Sequence, residues 1–370
     1  MERRIFLKGA MLLSVMASLF LSCEQPATSF DEVEKAASLE KSTKVTAPSP
    51  DSTIQVMTWN MRFGIGRGPW FGDACGYKVV YSEDDILDNL QLIAERINEF
   101  QPDILLLQEV DLNSTRSAYV DQLKWLMDNT YFNYAVYGSQ WKAQFIPSDG
   151  LGRMHEVNAI LSRWPLKAGE RVGFPLRNDQ SSVERYFYER CCLVKAIVEI
   201  PGFQEFYAIS VHTTAFARDD SKHRHLIAFK EALDQIDRAG SLFVAGGDLN
   251  EIPPGSDSTD FCIENKCPGE SFHHPGDDPM HKDGQNYTPE MNWLVPLYTD
   301  YKNVISLDDY LANQSAYFTQ TPVPDHKVDR TLDYIFTNGQ WKPGSGVAHQ
   351  ECSVEADHMP VSGLWILHRK

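Results

Sequence analysis

Short apolar runs in this chain repeatedly stop at a side chain that no core would select. Ile54–Trp59 ends at Asn60, and Ile104-Leu105-Leu106-Leu107 ends at Gln108-Glu109. Ile209-Ser210-Val211 ends at His212, and Leu242–Gly247 ends at Asp248-Leu249-Asn250. Asp333-Tyr334 opens the run Ile335-Phe336, and Asp357-His358 stands just before Met359-Pro360-Val361. Runs of this length bounded by polar residues read as buried strands. A carboxylate after a buried strand is costly unless it is paired or bound to a cation. Taken alone, each residue reads as a turn former, a surface group or half of a hydrogen-bonded pair. Taken together they require a fold in which strand ends converge, and open α/β sheets gather their ligand sites there. An oxygen-rich site of that kind suits Mg²⁺ or Mn²⁺, whereas zinc favours Cys and His.

The remaining sequence supplies layers for such a site. Ile54–Trp59 alternates with period two. Ser82 followed by Asp85 forms a capping-box pattern. Ile86, Leu90, Ile93, Ile97 and Phe100 then recur at helical spacing until Pro102. A second helix is predicted over Ser221–Arg238, with Leu226, Phe229, Leu233 and Ile236 inward. Strands are predicted at Ala159–Ser162, Leu193–Ile200, Phe206–Val211, Leu242–Ala245, Leu332–Phe336 and Val361–Leu367. This is the pattern of an α/β protein. Glu251–Pro296 is dense in Pro, Gly, Asp, Asn and His and reads as a loop excursion at the rim of the site. Within it, Cys262 and Cys267 suit a disulfide in an exported protein, and a zinc site with His273, His274 and His281 is the alternative. Trp70, Phe71 and Tyr77 read as packing a long loop onto the core, with contact to a ring or lipid as the other reading. Cys191 and Cys192 read as buried thiols.

The N-terminal residues read as an address. Arg3, Arg4 and Lys8 precede an apolar run, Ala10–Leu21. Such a run fits a signal-peptide core and falls short of the ~20 residues that span a bilayer. Phe20-Leu21-Ser22-Cys23 resembles a bacterial lipoprotein cleavage box, with Phe20 where that pattern prefers Leu. The resemblance implies removal of residues 1–22, lipidation at Cys23 and anchoring to the cell envelope, periplasmic or at the cell surface. Arg3–Lys8 also resembles a twin-arginine export signal, beside an ordinary secretory signal. Residues 23–51 are then the lipidated cysteine and a flexible tether, and residues 52–370 the folded domain. The chain has 34 Lys+Arg against 51 Asp+Glu, a net charge of −17. That field repels polyanions at long range and disfavours a non-specific DNA-coating protein. It leaves room for a nuclease whose bound cation supplies local positive charge.

Thr58-Trp59-Asn60, Leu107-Gln108-Glu109, Asn158-Ala159-Ile160-Leu161-Ser162, Ser210-Val211-His212, Gly247-Asp248-Leu249-Asn250, Leu332-Asp333-Tyr334-Ile335 and Ala356-Asp357-His358 together resemble the endonuclease/exonuclease/phosphatase superfamily. The resemblance covers about residues 54–367. It implies an α/β (α+β) four-layer sandwich, two mixed β-sheets face to face with helices on the outer faces, and one domain. It implies Glu109 as the main metal carboxylate for Mg²⁺ or Mn²⁺, with Asn60 and Asp357 holding the metal or its waters. By the same resemblance, Asp248 is expected to orient or deprotonate the attacking water, with Asn250 beside it. His358 matches the essential histidine, which Asp333 would orient, and His212 matches a histidine that contacts phosphate or donates a proton. The resemblance also implies Asn158 on the wall of the phosphate pocket and Arg190 as a phosphate-binding residue. The resemblance leaves open which of Asp248 and His358 is the base.

Three functions follow. The first is an exported, lipid-anchored, monomeric metal-dependent hydrolase of a small or lipid-linked phosphate ester. The second is an extracytoplasmic nuclease, which the acidic domain disfavours. The third is a catalytically inactive surface-binding lipoprotein, which has no need of Glu109, Asp248, Asn250, Asp357 and His358 together.

Overall fold

The computed structural model describes residues 26–49, 52–73, 76–261, 285–321 and 327–367. One 7-stranded sheet runs in the order β13 (Val347–Ala348), β14 (Val361–Ile366), β3 (Thr53–Asn60), β4 (Ile104–Asp111), β6 (Gly152–Ser162), β5 (Tyr134–Ile146), β2 (Ala37–Glu40). The second 7-stranded sheet runs β1 (Val33–Lys35), β7 (Leu166–Gly173), β8 (Cys192–Val198), β9 (Phe206–His212), β10 (Leu242–Asp248), β12 (Asp333–Thr337), β11 (Lys302–Asn303). Both are mixed: β3 runs parallel to β4, and β9 runs parallel to β10. The helices are α1 (Glu83–Phe100), α2 (Gln122–Asn129), α3 (Ser182–Phe187), α4 (Ser221–Arg238), α5 (Val295–Asp300) and α6 (Leu307–Ala312).

Period-two alternation divides each central strand between two cores. Ile54 and Val56 of β3, with Ile104 and Leu106 of β4, pack between the sheets against Ala208, Val244 and Ile335. Met57, Trp59, Leu105 and Leu107 face the other way, onto Ile86, Leu90, Ile93 and Ile97 of α1. On the far side, Ile209, Val211 and Phe243 meet Leu226, Phe229 and Leu233 of α4. Helix, sheet, sheet and helix stack as the expected sandwich.

Local chemistry sets the ends of the elements. Ser82 Oγ accepts from Asp85 N and the Asp85 carboxylate accepts from Ser82 N, so both halves of the capping box form. Helix α1 closes at Gln101 in the left-handed region, just before Pro102. Helix α4 has the predicted bounds. Ahead of the strand-end Asp248, Gly247 has φ 157°, and a Cβ built on that backbone would lie 1.8 Å from O of Val211, its partner on β9. Gly247→Ala is therefore expected to force the two strands apart and to destabilise the domain by about 1–3 kcal/mol or more. Denaturant unfolding of the variant beside the wild type measures this.

The expected flexible tether needs correction. Within it, Val33–Lys35 pairs with β7 and Ala37–Glu40 pairs with β5, so this segment forms an edge strand of each sheet. These strands are held by backbone hydrogen bonds and carry no apolar alternation, so the sequence shows no signal for them. The excursion after Asn250 is anchored at both ends: Ile252, Phe261 and Tyr287 form a small cluster with Leu332. Cys191 and Cys192 are buried free thiols as expected. Residues 1–22, Cys23, Cys262, Cys267, His273, His274 and His281 lie outside the described residues. Among the described residues, no helix is long and apolar enough to cross a membrane.

Candidate active site

The two parallel strand pairs bring their C-terminal ends to one end of the sandwich. Register places Asn60 beside Gln108 in one sheet. In the other it places Asp248 between His212 and Asp333. Pairing of β4 with β6 slips between Leu107 and Val110, and Glu109 sits in that bulge with φ 53°. A bulge re-aims a side chain, and a left-handed non-glycine residue is held there only by surrounding structure. Asn250 has φ 49°, held by its own contacts: its N–H donates to Asp248 Oδ1 at 2.8 Å and Nδ2 donates to Thr213 O at 3.0 Å. The ends surround a cavity of about 190 Å³ lined by Glu109, His212, Asp248, Asn250, Asp357 and His358.

Asn60 Nδ2 donates to Glu109 Oε1 at 2.9 Å and to Asp248 Oδ2 at 3.1 Å. Its Oδ1 accepts from Arg62 N at 3.0 Å. Burial raises the Glu109 pKa well above the usual carboxylate range, and the charges of Glu156 and Asp357 add to this. Burial likewise raises Asp248 to about 7, against the lowering pull of His358. His358 Nδ1 lies 2.9 Å from Asp333 Oδ2, and Nε2 lies 3.6 Å from Asp248 Oδ2. Burial opposes a charge on this ring, but Asp333 and Asp248 outweigh it and hold the pKa well above its ordinary value. Thr319 Oγ1 donates to Asp333 Oδ2 at 2.7 Å and fixes that carboxylate. His212 Nε2 lies 3.4 Å from Asp248 Oδ2 and 3.9 Å from Glu109 Oε1. Burial, then the neighbouring His358 and His225, lower its pKa to about 3, so the ring is neutral.

The donor set fits a hard divalent cation. Carboxylate oxygens of Glu109 and Asp248 lie within 4.8 Å of each other, and a His212 ring nitrogen lies equally close. Asp357 Oδ1 is buried without a hydrogen-bond partner, beside an Arg62 Nε that is 3.4 Å from Asp357 Oδ2. Buried carboxylates that resist ionisation are groups whose charge a bound cation offsets.

Of the residues singled out from sequence, Asn60, Glu109, His212, Asp248, Asn250, Asp333, Asp357 and His358 converge here. Their placements correct three expected roles. Asn60 turns its NH₂ to the carboxylates and its oxygen to Arg62 N, so it clamps Glu109 and Asp248 and presents no oxygen to a metal between them. Asn158 lies between the sheets rather than on the cavity, its Nδ2 donating to Gln140 Oε1 at 3.0 Å and Cys192 O at 2.9 Å. On β6 it shares a face with Ile160, which packs between the sheets. Arg190 donates to the carbonyls of Arg185, Tyr186 and Tyr188 around the end of α3, away from the cavity. Sequence reasoning missed Arg62, a buried cation on the cavity wall. Its signal was its place two residues after Asn60. It also missed Gln140, on a strand without clean alternation. The aromatic loop divides: Trp70 packs edge-on against Phe63 at 4.8 Å, while Tyr77 is exposed.

The sequence profile described as the Endonuclease/Exonuclease/phosphatase family matches residues 57–358. No curated protein matches the chain. A solved endonuclease/exonuclease/phosphatase from Beutenbergia cavernae superposes with TM-score 0.55 at 20% identity, over 86% of this chain and 72% of that one. A family protein from Leptotrichia buccalis gives TM-score 0.49 at 16% identity, over 84% of this chain and 98% of that one. A humanized D. rerio TDP2 gives 0.48 at 13%, over 85% and 99%.

Proposed function

Because the chain belongs to the endonuclease/exonuclease/phosphatase family, whose members hydrolyse phosphoester bonds, we propose that it is an exported, metal-dependent phosphodiesterase or phosphatase acting on a small or lipid-linked phosphate. The observation that carries this reading is the convergence of Glu109, Asp248, Asn250, Asp357 and His358 on one cavity at the ends of the parallel strand pairs. Glu109 and Asp357 would hold a divalent cation, which when bound offsets charge on phosphoryl oxygens and lowers the pKa of water. His358 is held as an imidazolium by Asp333 and Asp248 and so has no lone pair with which to take a proton. Asp248 therefore takes the proton of the attacking water, oriented by Asn60 and Asn250 N–H. The His358 charge and Arg62 stand ready for the negative charge that grows on the phosphoryl group.

The cavity supports a small reacting group. About 190 Å³ is less than the roughly 300–1,000 Å³ of a site for a drug-sized ligand. Phosphate and its first substituent atoms fit, and the rest of the substrate extends over Phe216. That side chain lines the cavity at 55% exposure, on a left-handed backbone with φ 51°. An exposed Phe held in a strained conformation at a pocket mouth suits an apolar substituent. Half-burying a Phe contributes about 1 kcal/mol, so Phe216→Ser is expected to raise KM about fivefold for a bulky ester and leave a methyl phosphodiester unchanged. Equal effects on the two would remove Phe216 from substrate contact.

Export and lipidation at Cys23 belong to the same proposal, supported by Arg3, Arg4, Lys8, the run Ala10–Leu21 and the box ending at Cys23. Hydrolysis of plasmid DNA, a bis-aryl phosphate and phospholipids, each with Mg²⁺ or Mn²⁺, tests the whole. Turnover of the small diester or lipid supports it. Preference for DNA would make the chain a nuclease, and no turnover of any would make it a binding protein.

A further inference from the structure

Behind the cavity, Gln140 and Asn158 are buried between the sheets and make no contact with the cavity space. Gln140 Nε2 lies 2.9 Å from His212 Nδ1, 3.1 Å from Glu189 Oε2 and 3.3 Å from Glu156 Oε1. Its Oε1 is 3.0 Å from Asn158 Nδ2, and that same Nδ2 donates to Cys192 O at 2.9 Å. Direction can be followed from the fixed end. A backbone carbonyl only accepts, so the Asn158 atom on Cys192 O is the amide nitrogen. That nitrogen also donates to Gln140, so the Gln140 atom facing it is oxygen. The opposite end of the Gln140 amide is then NH₂, as the two carboxylates beside it also require. A second donor on His212 Nδ1 at 2.9 Å would repel it. Nδ1 therefore accepts, and the proton of the neutral ring sits on Nε2.

We propose that Asn158 and Gln140 are positioning residues that lock His212 as the Nε2–H tautomer, making it a fixed hydrogen-bond donor to the substrate and neither a metal ligand nor a proton-transfer group. The inference deepens the phosphoesterase reading and rests on it for the identity of the acceptor. The nitrogen aimed at Glu109 and Asp248 carries a proton, so it has no lone pair for a cation, although its distance from those carboxylates resembles a ligand cluster. Transfer of that proton to a leaving group would require Nδ1 to gain one in exchange. Gln140 has no proton to give, so the ring would be left as an imidazolate. His212 thus hydrogen-bonds a phosphoryl oxygen and stays intact through the reaction.

The test is the imidazole ¹⁵N spectrum of the full chain labelled at histidine, with His212→Gln identifying the His212 signals. The wild type should show a protonated, pyrrole-type Nε2 and a bare, pyridine-type Nδ1, unchanged when Mg²⁺ alone is added. A protonated Nδ1, or loss of the Nε2 proton on adding Mg²⁺, would overturn the proposal. Gln140→Glu supplies an acceptor in place of the amide donor and should invert the ring to Nδ1–H. Asn158→Asp removes the donor that orients Gln140 and should give a mixture of tautomers. An unaltered ring in both would show that the pair sets nothing. These spectra need no turnover, so a chain that hydrolyses no phosphate ester would end the phosphoesterase reading and leave the relay standing.

Discussion

Glu109→Gln is expected to lower Mg²⁺-dependent hydrolysis by about 10³-fold and to leave the protein folded. A cation at a phosphoryl centre supplies several kcal/mol of charge stabilisation, and each 1.36 kcal/mol is tenfold in rate. Gln keeps the shape and the oxygen that accepts from Asn60 Nδ2. It removes the charge that draws a cation. It also removes a carboxylate whose ionisation is opposed by burial and by Glu156 and Asp357, so the fold is relieved of a buried charge. The check is a Mg²⁺ titration of initial rates, with thermal unfolding measured in parallel. A variant with wild-type rate and Mg²⁺ dependence would remove Glu109 from the metal site. A variant that unfolds would make the residue structural.

Asp248→Asn is expected to cost about 10²–10⁴ in kcat, the usual contribution of a positioned base. It should also change how stability depends on pH. Burial raises the folded Asp248 pKa to about 7 from an ordinary 3.8. Between those values the folded chain binds a proton that the unfolded chain has released. Stability without metal therefore falls as pH rises from about 4 to about 7 and levels off above. The variant lacks this group and should show a shallower fall over the same window. A cation that binds only the folded state stabilises by on the order of 2.7 kcal/mol at 100 times its Kd. That gain should be larger for the wild type at pH 8, where Asp248 is ionised, than at pH 5. Identical pH slopes for the two proteins, together with no response to Mg²⁺, would defeat both the pKa reading and the metal site.

The layers and most of the site were legible because burial and function use different residues on the same strands. Ile104–Leu107 and Leu242–Ala245 are continuous apolar runs because each strand is covered on both faces. The polar residue that ends each run then marks the site. What was not legible depends on direction. Asn158 sits in a family-like segment, yet strand parity turns it between the sheets onto Gln140. Arg190 stands beside the start of β8, but the turn before it aims the guanidinium at carbonyls of the α3 end. Arg62 had only its nearness to Asn60 as a signal, because its placement follows from a left-handed backbone, φ 47°, which no periodicity marks. The same holds for β1 and β2, whose pairing is made by the main chain.

Those two short strands have a mechanical consequence. A single stretch of chain zips along β7 of one sheet through Lys35, crosses at the buried Ala36, and zips along β5 of the other from Ala37. It is a clasp over two rows of hydrogen-bonding groups that would otherwise recruit strands from neighbouring molecules. Severing the chain after Glu40 should leave the catalytic end untouched at first. It would bare both margins at once, so loss by self-association should precede loss of activity per folded molecule.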